Sequence, residues 1–280
     1  MAIETVDLPV GADRFVARAA GPEDGELVLL LHGFPQSSWS WRHQLEALGA
    51  AGYRAVAPDQ RGYSPGVRPE AVDAYGTLPL VNDVLAMADE LGGHTFHLVG
   101  HDWGAAVAWQ VAGRHPARLR TLTVLSVPHP RAMLRALSGE AGCDQPQRSS
   151  YFKLFRQEDA PDRFLADDAA LLRGLFLGTG LAAHEAEPYV ELMRQPGAMR
   201  CALNWYRAMG RDVAEGLSPV TPPTLFVWST DDPALGREGA EWTADYVEGP
   251  YRFEVLEGIG HWIPEQAPDR LNALLLEHLS

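Results

Sequence analysis

The sequence predicts an α/β protein: a mostly parallel central sheet flanked by helices, with a helical segment inserted into it. Two observations carry that expectation. Short apolar runs alternate with stretches of helical periodicity over the first 127 residues, and again after Pro219. From about Pro130 to Ser218 there are helical stretches and aromatic residues but no convincing strand pattern. Strands alternating with helices favour right-handed crossovers and parallel pairing.

The elements follow in order. Leu27–Leu31 is apolar throughout and ends at His32-Gly33, as a strand buried on both faces does. Residues 41–51 have helical spacing and stop near Gly52, and 54–57 is a short strand running into Pro58-Asp59. Residues 80–91 repeat apolar side chains at helical intervals, with Gly92-Gly93 as the stop. A strand over 95–99 turns through residues 100–104 into a small-residue helix over about 105–113. A strand over 122–127 is closed by Pro128-His129-Pro130. Beyond the helical segment come a strand over 224–228, a helix near 239–246, the strand Tyr251–Leu256 and a helix ending at Leu279. The chain thus divides into two core parts, 1–129 and 219–280, with 130–218 as a helical lid between them.

Composition narrows the function. The chain has 280 residues, 46% hydrophobic and 21% charged, an ordinary globular mixture. With 23 basic against 37 acidic residues the net charge is −14, which repels phosphate backbones, so no nucleic-acid partner is expected. No apolar run approaches the roughly 18 residues of a membrane span. The first residues lack a basic stretch followed by an apolar one, so a cytoplasmic protein without a membrane partner is expected. Cys143 and Cys201 are too few for a disulfide framework or a cysteine zinc site, and two buried thiols are expected. Lys153 is the sole lysine, so Schiff-base chemistry would rest on one side chain. His94, His97 and His101 lie on a strand and its turn without an H-E-x-x-H pattern; neither a metal nor another cofactor is expected.

The chemistry centres on Gly100-His101-Asp102-Trp103-Gly104. Small residues on both sides of a central residue permit a sharp strand-to-helix turn that lifts the central side chain above the sheet. That is a nucleophile elbow with aspartate in the serine position; the plainer possibility is that Asp102 caps the following helix. In such folds the loop after the first strong strand, here His32-Gly33-Phe34-Pro35, supplies one amide to an oxyanion hole, and the residue after the nucleophile supplies the other. The candidate donors are the backbone amides of Phe34 and Trp103. The acid and the base should follow in that order. Asp231 or Asp232 at the end of a strand is the acid, and His261, on the loop Gly258-Ile259-Gly260-His261-Trp262, is the base.

At these residues the chain resembles an α/β-hydrolase-fold protein of the epoxide hydrolase group, over nearly its full length. The most specific segments are His32-Gly33-Phe34-Pro35 with residues 38–44, Asp59-Gln60-Arg61-Gly62-Tyr63, residues 100–104, Asn204-Trp205-Tyr206-Arg207 and Gly260-His261-Trp262. The resemblance puts the acid on Asp232. It also implies two lid tyrosines that hold the oxirane oxygen. Tyr206 matches one; where the other is expected stands Phe152, with Tyr151 one residue early. A one-residue shift on an α-helix turns a side chain by about 100°. Either Tyr151 serves in a locally shifted lid, or Tyr206 works alone or with another tyrosine such as Tyr189.

Aspartate changes what the elbow does. Its carboxyl, with a reference pKa of about 3.9, is already ionised at neutral pH. Attack on a carbonyl would give a reactive anhydride, whereas displacement at a saturated carbon gives an alkyl ester. Asp102 would open the substrate, and water activated by His261 and Asp232 would hydrolyse the ester. An epoxide oxygen leaves as an alkoxide that needs a proton, which a tyrosine can supply. A halide needs N–H donors instead, and Phe34 stands where haloalkane dehalogenases carry an asparagine-type donor. Epoxide opening is therefore the leading expectation, with dehalogenation and a non-catalytic small-molecule binder as alternatives. Lid aromatics including Phe152 and Trp205 would suit an apolar or aromatic epoxide, with water as the second reactant. The same residues would also pack a lid onto a core.

Overall fold

Eight strands form one sheet in a computed structural model that describes residues 2–280, apart from the side chains of Arg211 and Asp212. They are β1 (Glu4–Val10), β2 (Asp13–Ala20), β3 (Leu27–Leu31), β4 (Arg54–Pro58), β5 (Phe96–His101), β6 (Leu119–Leu125), β7 (Thr224–Ser229) and β8 (Tyr251–Leu256). Their order across the sheet is β1-β2-β4-β3-β5-β6-β7-β8. β1 and β2 form an antiparallel hairpin and β2 is antiparallel to β4, while every later pair is parallel. The predicted α/β architecture is the one observed.

The central strands β3, β4 and β5 are buried along their whole length. Successive side chains of β3 leave opposite faces: Leu27, Leu29 and Leu31 join one apolar cluster, and Val28 and Leu30 the other. Each such burial is worth about 1.5–3 kcal/mol, which is why an uninterrupted apolar run was a reliable strand signal. The first cluster also takes in Trp109 from the helix Trp103–Arg114, Phe226 from β7 and aromatic residues contributed from between β6 and β7.

The hairpin β1–β2 lay outside the sequence expectations. Along β1 only Leu8 is fully buried, and β2 alternates buried Phe15, Ala17 and Ala19 with polar or half-buried neighbours. Alanine is a weak strand signal, and its burial here comes from the layers packed on the sheet. Boundaries moved elsewhere. The helix expected over 41–51 is a 3₁₀ turn, Ser38–Trp41, followed by Arg42–Ala50. The helix expected near 239–246 is Arg237–Trp242 followed by a 3₁₀ turn, Thr243–Tyr246. β5 runs two residues further than its apolar stretch, because Gly100 and His101 still pair with Val124 and Leu125 of β6.

Between β6 and β7 the described residues form helices and turns and no strand. The longer helices are Pro130–Leu137, Ala160–Gly178 (interrupted over 166–169), Ala183–Met193 and Ala198–Ala208. The short helix Gln145–Arg148 runs into a 3₁₀ turn, Ser149–Tyr151, and then into Phe152–Phe155. No helix is long and apolar enough to cross a membrane among the described residues. Cys143 and Cys201 are buried and unpaired with each other.

Candidate active site

Asp102 sits at the sharp junction of β5 and the helix Trp103–Arg114, with φ 51° and ψ −119°. A side chain in that left-handed region is strained, and it is held there because the surroundings fix the backbone. Glycines allow the close crossing. A methyl group on Gly104 would collide with the carbonyl of Leu31, one on Gly100 with the carbonyl of Gly104, and one on Gly33 with the Asp102 side chain itself. The small residues of the pentapeptide are thus required by the approach of strand, helix and neighbouring loop.

Asp102 is not the helix cap of the plainer reading; no side-chain capping bond is made. Its Oδ1 instead accepts from the Phe34 amide at 2.8 Å, and the Trp103 amide also bonds the carboxylate. The two amides expected to form an oxyanion hole therefore both lie against the Asp102 carboxylate, the Phe34 amide on Oδ1. Burial raises the Asp102 pKa, while the charge of His261 and the two amides work against that rise.

His261 stands 3.7 Å from Asp102 Oδ2 through Nε2, and its Nδ1 donates to Asp232 Oδ2 at 2.8 Å. The other oxygen of Asp232 accepts from the amides of Ala234 at 2.8 Å and Leu235 at 3.2 Å. Asp231, the alternative acid, points away: it is exposed and takes a bond from Thr230. Burial disfavours charge on Asp232, yet the His261 charge and these hydrogen bonds keep its carboxyl below the usual value. Burial likewise opposes charge on His261, but Asp232 and Asp102 outweigh it and raise its pKa to about 9. At neutral pH His261 therefore favours the imidazolium form, held by Asp232 and Asp102.

The sign gives a test. Asp102→Asn removes one of the two charges that raise His261 while leaving its desolvation in place, so the imidazole should titrate clearly below about 9. NMR titration of the ring nitrogens in both proteins reads this directly. An unchanged value would mean that Asp102 does not act on His261 electrostatically.

His101, one residue before Asp102, is a supporting residue the sequence did not single out. Burial and the neighbouring His261 charge lower its pKa to about 3, so it is neutral. Its Nε2–H donates to the His261 backbone carbonyl at 2.9 Å. It was considered only as a metal ligand, and no local pattern announces a bond to a residue 160 positions away.

Above the carboxylate lies a largely apolar cavity of about 930 Å³ that includes Asp102, Trp103, Tyr151, Phe152, Trp205 and Tyr206 in its lining. The rings of Tyr151 and Tyr206 are 6.3 Å apart. Burial raises both hydroxyls well above the ordinary tyrosine value; for Tyr151 the charges of Asp102 and Asp232 add to this, and for Tyr206 those of Tyr151 and Asp102. Tyr151 and Asp102 thus share the cavity wall. Tyr151 ends a 3₁₀ turn and Phe152 begins the next helix, and both line the cavity, so the one-residue offset does not remove Tyr151 from its wall. Phe152 packs 5.3 Å from the Tyr206 ring. Trp205 lines the cavity with its ring 5.7 Å from Trp103, and its indole N–H is spent on the Arg61 carbonyl at 3.0 Å. Tyr189, the other possible partner, donates its hydroxyl to Glu265 at 2.5 Å and is not part of the cavity wall.

Residues 26–268 match the family model described as alpha/beta hydrolase fold. Epoxide hydrolase A of Mycobacterium tuberculosis is 31% identical, covering 93% of this chain and 92% of the relative. The AB hydrolase superfamily protein YfhM of Bacillus subtilis is 36% identical over 93% of this chain and 92% of its own length. The crystal structure of epoxide hydrolase A from Mycobacterium thermoresistibile superposes with a TM-score of 0.86 at 32% identity, covering 99% of this chain and 98% of that one. The chain belongs to the epoxide hydrolase family of the α/β-hydrolase fold.

Within this member of the epoxide hydrolase family, the motif Asp59-Gln60-Arg61-Gly62-Tyr63 supports the floor of the site. Gln60 bonds His32 through its backbone N–H at 3.1 Å and donates its side-chain amide to the His32 carbonyl at 2.6 Å. Asp59 accepts from the Ser38 amide at 2.7 Å. Phe34, whose amide bonds Asp102, packs its ring against Phe155, Phe164 and Tyr206.

Proposed function

We propose that this enzyme opens epoxides to vicinal diols through an alkyl ester on Asp102, hydrolysed by water that His261 and Asp232 activate. The observation that carries the reading is the division between the two oxygens of Asp102. Oδ1 lies 2.8 Å from the Phe34 amide, while Oδ2 faces His261 Nε2 at 3.7 Å. Oδ2 attacks a ring carbon and the C–O bond to the ring oxygen breaks. Oδ1 becomes the ester carbonyl, already in contact with the amides that stabilise negative charge when water adds to it. One such donor is typically worth roughly 2.7–4 kcal/mol of barrier.

Protons balance through the tyrosines and His261. Tyr151 and Tyr206 face the leaving oxygen and protonate it as the ring opens. Their burial makes a lasting tyrosinate unfavourable, so the proton must return. Alkylation also erases the charge of Asp102, one of the two that raise His261. His261 then gives its proton back to the tyrosinate and becomes the base that the second step needs. It takes a proton from water as the oxygen adds to the ester carbon, and it returns that proton to the alkyl oxygen as the bond from carbon to that oxygen breaks. The diol leaves with an oxygen that belonged to Asp102, and the new Asp102 carboxyl gives its proton to His261, which restores the resting state.

The cavity's size and apolar wall support a bulky apolar or aromatic epoxide as substrate. Its volume of about 930 Å³ is near the upper end of the usual small-molecule range, and Leu80, Val107, Val127, Met133 and Leu134 extend its wall away from Asp102. The mechanism is tested by a single turnover of styrene oxide, with enzyme in excess, in ¹⁸O-water. The ester route leaves the first diol unlabelled and puts the heavy oxygen into Asp102, located by peptide mass spectrometry. Diol labelled in the first turnover would establish direct attack by water and sink the proposal.

A further inference from the structure

Asp232 lies on the turn after β7, and the bonds that aim its carboxylate come from that turn. Oδ1 accepts from the amides of Ala234 and Leu235, so the direction of Oδ2 toward His261 depends on the path of residues 234–236. Gln145, from the helical segment between β6 and β7, grips that path. Its Nε2 donates to the Ala234 carbonyl at 2.8 Å and to Ser149 Oγ at 2.9 Å, and its Oε1 accepts from the Gly236 amide at 2.8 Å. The side chain is 1% exposed, so these bonds do not compete with water. Three residues on, Arg148 donates Nη1 to the carbonyl of Asp232 itself at 2.8 Å.

The same stretch of chain leads straight to Tyr151. Gln145–Arg148 is one short helix, and the 3₁₀ turn Ser149–Tyr151 follows it without a break. Ser149, tied to Gln145, opens the turn that ends in Tyr151. A buried glutamine needs hydrogen-bond partners wherever it sits. What sets this one apart is that its partners are the backbone of the acid's turn on one side and the tyrosine's turn on the other.

We propose that Gln145 is a positioning residue that fixes Asp232 and Tyr151 relative to each other, so that ring opening and ester hydrolysis both depend on it. This role rests on the ester mechanism above. Gln145 touches neither substrate nor the reacting atoms; it acts through the turn that aims Asp232 and the turn that carries Tyr151.

The test is Gln145→Met, which keeps length and bulk but removes all three bonds. Rapid-quench kinetics with styrene oxide give the alkylation and hydrolysis rates, each normalised to the active sites counted as trapped ester. Both rates should fall, hydrolysis by roughly tenfold, since small misplacements of a catalytic group are costly. The pH at which the hydrolysis rate rises should also move down, because a displaced Asp232 raises His261 less. The other titratable groups against His261, His101 and Asp102, are untouched by the substitution. In a Tyr151→Phe background Gln145→Met should add little to the alkylation defect and still slow hydrolysis.

A lower melting temperature or fewer active sites, with per-site rates and pH profile unchanged, would reduce Gln145 to a packing residue and overturn the proposal. Arg148→Met removes the bond to the Asp232 carbonyl together with an exposed ion pair to Asp144, and serves if Gln145→Met fails to fold. It should give the same pattern on hydrolysis with a smaller amplitude, and an unchanged profile there would overturn the proposal equally. Failure of the underlying mechanism looks different: wild-type enzyme would then form no ester at all, and this role would fall with it.

Discussion

His261→Gln should stall the enzyme as an alkyl ester on Asp102, with turnover reduced by roughly 10⁴-fold and the ring-opening step still proceeding. Glutamine fills much of the imidazole's space but accepts no proton from water, so the second step loses its base. The first step needs an ionised Asp102 and a proton donor on the leaving oxygen, and neither is His261. Loss of the imidazolium does remove one influence that favours the Asp102 carboxylate, so ring opening should slow at mildly acidic pH. Intact-mass measurement after exposure to aryl and alkyl epoxides reads the outcome. A gain equal to a whole epoxide, absent when Asp102→Asn is added, is the expected result. A gain equal to an alkyl group without its halogen, obtained only with haloalkanes, would turn the reading to dehalogenation. No adduct from either class, together with an inactive wild type, would leave the choice of substrate and a binder that keeps the cleft as the two readings to separate.

Removing both cavity hydroxyls should stop the other half of the cycle. In Tyr151→Phe/Tyr206→Phe the alkylation rate should fall by roughly 10²- to 10⁴-fold, the usual contribution of a positioned general acid. Once ester has formed, its hydrolysis should be nearly unchanged. Each single variant should lose less than half of the combined effect in free-energy terms, because the remaining tyrosine still protonates the oxygen and the two losses do not add. The two rings are 6.3 Å apart and both hydroxyls are raised by burial, so either one holds its proton until an alkoxide develops. Rapid-quench measurement of ester formation decides the matter. Full alkylation in the double variant would remove the tyrosines from the mechanism. A full loss in Tyr206→Phe with none in Tyr151→Phe would give the role to Tyr206 alone.

These two experiments divide the site as the sequence itself divides it. The elbow, the amide loop and the histidine loop were readable because each is local. Residues 100–104 need small side chains at fixed offsets, and the structure supplies the reason in the collisions that a Cβ at Gly100 or Gly104 would cause. His32-Gly33-Phe34-Pro35 follows an apolar run and Gly260-His261-Trp262 follows a strand of alternating pattern, both visible without coordinates. The order of nucleophile, acid and base narrowed the acid to two neighbours, and only the turn after β7 separates them. Asp232 is buried and bonded to His261, whereas Asp231 is exposed.

Other features had no local signal. Tyr151 stands one residue before the position that the family resemblance favours, and only the structure shows it sharing the cavity wall with Phe152 and Tyr206. The hairpin β1–β2 has little local signal because Leu8 and Phe15 are its only large buried side chains, the other buried positions being alanines. His101 and Gln145 carry no motif; their bonds reach 160 residues along the chain in one case and 89 and 91 in the other.

By itself the sequence determined the α/β architecture and singled out the aspartate at which the ester chemistry is proposed. Apolar runs specify buried strands, and an aspartate at a small-residue elbow has few other reactions open to it. Only the tertiary structure decided which aspartate supports His261, where Tyr151 faces, and how Gln145 ties those two together. The physical reason is that these depend on distances and burial between segments far apart in the chain. Desolvation and the field of neighbouring charges arise from packing, and they raise His261 to about 9 and lower His101 to about 3 although both are the same residue type.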